Sequence, residues 1–253
     1  MLCTTNVQDL KILLRYFCFN FRHLAHFKHL RQSVAAPPRY TLCGKDHFKN
    51  IFCGERMEIK RLEVGSFENN CYIVVCDKTG EAVIIDPAAE AQKIKEKIKG
   101  KKVRYVLITH GHMDHIGALD EIRKETKAPV GIHERDSRAL RNQAEFFLTD
   151  GQILKFGNLE MKVLHTPGHT PGGVCFLIEK VLFCGDTIFP NGPGNTALPG
   201  ADYRQILQSI HSKIFILPEE TLIYPGQGLE TTVGREKKTE FYPFPDKAEG
   251  GDR

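Results

Sequence analysis

The sequence predicts an α/β fold in which two mixed β-sheets pack face to face between outer helices, a four-layer αββα sandwich. Two observations predict it: short apolar strands occur in two separate blocks, and helical patterns accompany each block. The chain has 253 residues, of which 41% are hydrophobic, so it is long enough to bury a large core. Regular patterning begins at Met57.

The first block consists of short strands with helices between the later ones. Apolar runs bounded by turn residues predict these strands. They are expected at residues 59–64, 71–76, 82–85, 103–108 and 130–132. A helix is expected over 89–98, since Ala91, Ile94 and Ile98 would share one face, and another over 117–126.

The second block repeats this layout without a detectable sequence repeat. Its strands are expected at residues 153–156, 159–164, 174–178, 181–184 and 221–224. Asp202 resembles a helix N-cap because Gln205 follows three residues later, and apolar residues continue at helical spacing to Ile210.

Residues 1–56 differ from the rest of the chain in charge. They contain nine Lys and Arg against three Asp and Glu, whereas residues 57–253 contain 26 against 28. We expect a basic, poorly ordered N-terminal extension over 1–56 and one folded domain over 57–253. The extension resembles an organellar transit peptide in being poor in acidic residues, but a dispensable leader is favoured because serine is scarce.

The composition also bears on location and partners. Eight cysteines without a Cys-x-x-Cys pair indicate a reducing compartment, so a cytoplasmic location is expected, or an organellar one if residues 1–56 act as a transit segment. The apolar run at 10–21 is too short for a membrane span. No nucleic-acid partner is expected, because the basic tract lies outside the region that carries the chemistry. The oligomeric state is not predicted.

One segment concentrates metal-ligand residues. Residues 109–117 read Thr-His-Gly-His-Met-Asp-His-Ile-Gly, which places His110, His112, Asp114 and His115 within six positions. Imidazole nitrogens and carboxylate oxygens are ligands of zinc and similar divalent ions. The segment therefore predicts a metal site.

Three later segments offer further polar side chains at strand ends, where a rigid sheet can hold functional groups. Residues 166–172, Thr-Pro-Gly-His-Thr-Pro-Gly, supply His169. Residues 183–187, Phe-Cys-Gly-Asp-Thr, supply Asp186, and residues 224–228, Tyr-Pro-Gly-Gln-Gly, supply Gln227.

The wording and order of these four motifs resemble the metallo-β-lactamase fold superfamily, and within it the hydroxyacylglutathione hydrolase (glyoxalase II) branch. The resemblance covers about residues 57 to 240. It implies that His110, His112 and His169 hold one metal ion, that Asp114 and His115 hold a second, and that Asp186 bridges them. It implies zinc, as one or two ions, with iron or manganese as possible substitutes.

This resemblance implies a metal-dependent hydrolase that acts on a small thioester. Two divalent ions roughly 3.5 to 4 Å apart can share a water, lower its pKa and polarise a substrate carbonyl, so no Ser or Cys nucleophile is needed. Asp114 is the expected catalytic residue, which orients the attacking group and passes its proton to the leaving group. With 26 residues after Gln227, no room remains for the helical glutathione-binding region of glyoxalase II.

Gln227 departs from the family pattern, which has histidine there as a ligand of the second metal. An amide oxygen binds zinc poorly, so the second site is expected to be weaker. The departure leaves two alternatives. His110, His169 and Asp186 could form the facial triad of a mononuclear iron persulfide dioxygenase. The domain could also be a non-catalytic metal-binding relic.

Other residues are assigned ordinary roles. Met57, Met113 and Met161 are expected to pack in the interior. Asp86 ends a strand and is expected to support the metal loop, at most by hydrogen bonds to the ligands.

Overall fold

The computed structural model describes residues 48–50, 57–141 and 143–244. The predicted extension over 1–56 therefore lies outside the described residues, except for a short strand at Phe48–Asn50. Among the described residues, no helix is both long and apolar enough to cross a membrane.

The first sheet has seven strands, which lie side by side in chain order. The strands are β1 (Phe48–Asn50), β2 (Met57–Val64), β3 (Asn69–Cys76), β4 (Glu81–Ile85), β5 (Lys102–Leu107), β6 (Val130–His133) and β7 (Phe146–Leu148). The pairs from β1 to β4 are antiparallel, and the pairs from β4 to β7 are parallel. The parallel strands β4 and β5 thus end at the same edge, where Asp86 and Thr109 follow them.

The second sheet has six strands in the order β15-β14-β11-β10-β9-β8. These strands are β8 (Ile153–Phe156), β9 (Leu159–His165), β10 (Val174–Ile178), β11 (Val181–Gly185), β14 (Leu222–Pro225) and β15 (Thr231–Thr232). All pairs are antiparallel except β11 with β14, which are parallel. A two-stranded ribbon, β12 (Ile188–Phe189) with β13 (Gly192–Pro193), follows β11.

Short helices connect and cover the sheets. They are α1 (Ala91–Lys97), α2 (Leu119–Thr126), α3 (Tyr203–Ser209) and α4 (Val233–Glu236), with 3₁₀ helices at Met113–His115 and Glu134–Leu140 and a π-helical turn at Ile210–Ile214. The Asp202 side chain accepts a hydrogen bond from the Gln205 backbone N–H at 2.9 Å, so the predicted N-cap of α3 is confirmed.

Three apolar clusters form the layers of the domain. The central cluster lies between the two sheets and includes Ile59, Phe156 and Phe176. A second packs α1 and α2 on the outer face of the first sheet, and a third packs α3 on the outer face of the second sheet. The predicted four-layer sandwich of two mixed sheets is confirmed.

Four of the eight cysteines lie within the described residues. Cys71, Cys76, Cys175 and Cys184 are all free and buried. The other four cysteines lie outside the described residues.

Candidate metal centre

The predicted ligands lie on loops that follow strands of both sheets. The segment from Thr109 to Gly117 follows β5 and includes the 3₁₀ helix Met113–His115. In the second sheet, His169 follows β9 and Asp186 follows β11. The structure brings all six predicted residues to one site.

Three imidazole rings meet in the first group of this site. His112 Nδ1 lies 3.0 Å from His110 Nε2 and 3.0 Å from His169 Nε2. Burial lowers the pKa of His110 well below its ordinary value and also lowers the pKa of His112. Neutral imidazole is the form that binds a metal, so these rings are suited to share one ion.

His115, Asp186 and Asp114 form the second group. His115 Nε2 lies 3.4 Å from Asp186 Oδ1 and 3.9 Å from Asp114 Oδ2. The other carboxylate oxygen, Asp186 Oδ2, lies 3.7 Å from His169 Nε2 in the first group. Asp186 therefore faces both groups, one oxygen to each.

Two atoms of the second group are buried without a hydrogen-bond partner. They are His115 Nε2 and Asp186 Oδ1. Leaving buried polar atoms unpaired costs about 1–3 kcal/mol each. A cation held between them would satisfy both, so the residues present fit a second metal ion as well as a first.

Electrostatics couple the same two side chains. Burial opposes the charged form of His115, but the carboxylates of Asp186 and Asp86 outweigh burial and raise its pKa well above its ordinary value. Burial likewise opposes ionisation of Asp186, but nearby imidazoles, His115 foremost, outweigh it and lower the pKa of Asp186.

Hydrogen bonds to the far ring nitrogens fix the orientation of the imidazoles. His110 Nδ1 lies 3.0 Å from Thr109 Oγ1, and His169 Nδ1 lies 2.7 Å from the Asn195 carbonyl oxygen. His115 Nδ1 lies 3.0 Å from Asp86 Oδ2. Such contacts leave the opposite nitrogen free for a metal.

Asp86 also braces the loop that carries the ligands. Its Oδ1 accepts from the Thr109 backbone N–H at 2.7 Å, and its Oδ2 accepts from the Thr109 hydroxyl at 2.6 Å. Its φ of 49° is in the left-handed region, which aspartate tolerates better than most residues. The expected supporting role of Asp86 matches these contacts.

Gly226 shows how closely the backbone approaches the second group. A Cβ atom at this position would lie 2.8 Å from Cε1 of the His115 imidazole and would also collide with Asp186 Oδ1. No residue with a side chain fits there without moving the ligands. Gln227 is the next residue in the chain.

Asn69 is a site residue that the sequence analysis did not identify. Its side-chain amide donates to Asp114 Oδ2 at 3.0 Å. Its backbone pairs with Gln227 in an isolated antiparallel bridge. Asn69 thus links the hairpin between β2 and β3 to both Asp114 and the segment that contains Gln227.

The expectation for the methionines is partly wrong. Met57 and Met161 are buried, as expected, but the Met113 residue is 64% exposed. Met113 lies in the 3₁₀ turn between His112 and Asp114, and that turn directs the ligands inwards and leaves Met113 outside.

The comparison with protein families decides the assignment. Residues 64–226 match the family model described as the metallo-beta-lactamase superfamily. The chain belongs to this superfamily. The resemblance stated from the sequence motifs is therefore confirmed at the level of the superfamily, together with its fold and its histidine-rich potential metal site.

Two curated relatives are similar to this chain over most of its length. It is 33% identical over 205 residues to the hydroxyacylglutathione hydrolase GloC of Haemophilus influenzae, which covers 72% of this chain and 96% of that protein. It is 34% identical over 198 residues to the probable metallo-hydrolase YqgX of Bacillus subtilis, which covers 70% of this chain and 93% of that protein.

Solved structures of the superfamily show the same fold. One is the BLEG-1 B3 metallo-beta-lactamase, with 35% identity, a TM-score of 0.66 and coverage of 74% of this chain and 99% of that one. ETHE1 from Myxococcus xanthus has 28% identity, a TM-score of 0.67 and coverage of 73% and 83%. TTHA1623, in a di-iron-bound form, has 31% identity, a TM-score of 0.62 and coverage of 73% and 98%.

Proposed function

We propose that this metallo-hydrolase is a zinc-dependent hydrolase of small thioesters, of the hydroxyacylglutathione hydrolase type. The observation that carries the proposal is the pair of ligand groups joined by Asp186, whose two oxygens face His115 and His169. The similarity to GloC supports the thioester assignment. The four cysteines in the described part of the chain, which are free and buried, support a reducing compartment such as the cytoplasm.

His110, His112 and His169 would hold one ion, Asp114 and His115 a second, and Asp186 both. Bound divalent ions would lower the pKa of a water molecule and polarise the thioester carbonyl. Imidazole and carboxylate ligands also accept iron or manganese, and the di-iron form of TTHA1623 shows iron in a related protein.

The remaining chemistry falls to the protein's own side chains. Asp114 is suited to hold and pass a proton, because its side chain is 29% exposed and so reaches the open side of the centre. The Asn69 amide donates to Asp114 Oδ2 and fixes the carboxylate. Asp114 would orient the attacking water and then carry its proton to the leaving thiolate.

The nearby cysteines are unsuited to act as nucleophiles. Burial raises the pKa of Cys175 to about 11 and raises the pKa of Cys184 well above its ordinary value. Both remain thiols at neutral pH. Attack by water is therefore the chemistry that the site supports.

Removal of the metal tests the proposal. We expect a chelator to abolish the hydrolysis of S-lactoylglutathione and of short acyl thioesters by the purified protein, and zinc to restore it. Assays of β-lactam hydrolysis and of persulfide-dependent oxygen uptake with iron-loaded protein are run in parallel. Turnover in either of those assays, with no thioester hydrolysis, contradicts the proposal.

Asp114→Asn tests the proton-carrying role. We expect kcat for thioester hydrolysis to fall by about 10² to 10⁴-fold, the usual contribution of a positioned acid–base group, with KM little changed. The matched control is Asp120→Asn, on the exposed surface of α2, which should behave like the wild type. Wild-type kcat for Asp114→Asn would remove Asp114 from the mechanism.

A further inference from the structure

The Asp136 carboxylate joins the two segments that carry the first ligand group. Asp136 is 8% exposed and lies in the 3₁₀ helix Glu134–Leu140. Its Oδ2 accepts from the Gly111 backbone N–H at 2.9 Å and from the Thr170 hydroxyl at 2.6 Å. Its Oδ1 accepts from the Gly172 backbone N–H at 2.8 Å.

Each of these donors is next to a ligand or close to one in the chain. Gly111 lies between His110 and His112, and Thr170 directly follows His169. His112 and His169 are 57 residues apart in sequence, yet their ring nitrogens are 3.0 Å apart. Asp136 therefore links the two ligand segments at the point where they must be held in register.

Gly172 permits the close approach that this linkage requires. A Cβ atom at Gly172 would lie 2.6 Å from both Cγ and Oδ1 of Asp136. Only glycine allows the backbone N–H to reach the carboxylate at this distance. The segment that contains His169 is thus shaped around Asp136.

The charge of Asp136 is also distinctive. Among the described residues, no Lys, Arg or His side chain forms an ion pair with it. Burying a carboxylate without a cation is costly, even when it accepts several hydrogen bonds. An ion held by the three imidazoles of the first group would bring positive charge to the same region.

We infer that Asp136 is a positioning residue for the first metal ion, and that it sets the affinity of the His110, His112 and His169 group by holding two ligand segments together. Groups that orient metal ligands typically change metal affinity by about 10 to 100-fold when they are replaced. The inference concerns the metal centre alone and does not depend on which ester is hydrolysed.

Asp136→Asn tests this inference, because an amide offers one acceptor oxygen and places a donor NH₂ where an oxygen was. At least one of the three donors then loses its acceptor. We expect the dissociation constant of the tighter zinc-binding step, measured by competition with a chromophoric chelator, to rise by about tenfold or more.

The matched control is Asp150→Asn. Asp150 also accepts a backbone N–H, from His165 at 2.9 Å, but its side chain is 47% exposed and contacts no ligand segment. We expect its zinc affinity to equal that of the wild type. Thermal unfolding of both metal-free variants shows whether a general loss of stability explains the result.

A second pair of variants covers the case in which Asp136→Asn does not fold. Thr170→Val removes one donor to Asp136, whereas Thr170→Ser keeps the hydroxyl. We expect weaker zinc binding for Thr170→Val and near wild-type binding for Thr170→Ser. Wild-type zinc affinity in Asp136→Asn, or in Thr170→Val, overturns the inference, even if the melting temperature falls.

Discussion

Asp186→Asn is expected to reduce turnover by at least about 100-fold and to lower the metal content of the purified protein. The substitution keeps the size of the side chain but removes the charge that faces both ligand groups. Asp186 Oδ1 lies 3.4 Å from His115 Nε2, and Asp186 Oδ2 lies 3.7 Å from His169 Nε2. Metal content is measured by elemental analysis, and turnover by thioester hydrolysis.

Asp150→Asn again provides the control, since it removes a carboxylate of the same loop-rich second half without touching the metal centre. It should retain the metal and turn over normally, because exposed ion pairs contribute little to stability. Full metal content and full activity in Asp186→Asn would show that this carboxylate does not bridge two ions.

Gln227→His is expected to raise the metal content towards two ions per chain and to increase activity. Gln227 directly follows Gly226, whose position abuts the His115 ring, and its backbone pairs with Asn69, which contacts Asp114. An imidazole binds zinc far better than an amide oxygen does, so the variant should bind the second ion about 10 to 100-fold more tightly.

Gln227→Asn is the matched control, because it keeps an amide in place of the imidazole. Its metal content should equal that of the wild type. If elemental analysis finds two ions per chain both before and after Gln227→His, the second site of the native protein is not weakened by Gln227.

Strands of four or more residues were predictable from sequence because the apolar pattern and the turn residues agree there. The predicted ranges for β8 and β10 match the observed strands, Ile153–Phe156 and Val174–Ile178. The strands β1, β7, β12, β13 and β15 were not predicted. Each has two or three residues, too few for a periodic signal, and backbone pairing with a neighbouring strand defines it.

The ligands of the metal centre were predictable from sequence, but the residues that support them were not. Four ligand residues lie within one segment, so their proximity follows from the sequence itself. Asp136 and Asn69 could not be identified in this way, because each acquires its role from contacts with segments distant in sequence. Asp136 lies among the charged residues of 134–138, where a single buried carboxylate has no distinguishing pattern.

Elemental analysis of the purified protein beside a His110→Ala, His112→Ala double variant tests the central claim most directly. The ring nitrogens of both residues face the first ion position, so the account predicts at least one divalent ion per chain in the wild type and close to none in the double variant. Retention of one ion per chain by a folded double variant would place the metal elsewhere and contradict the account.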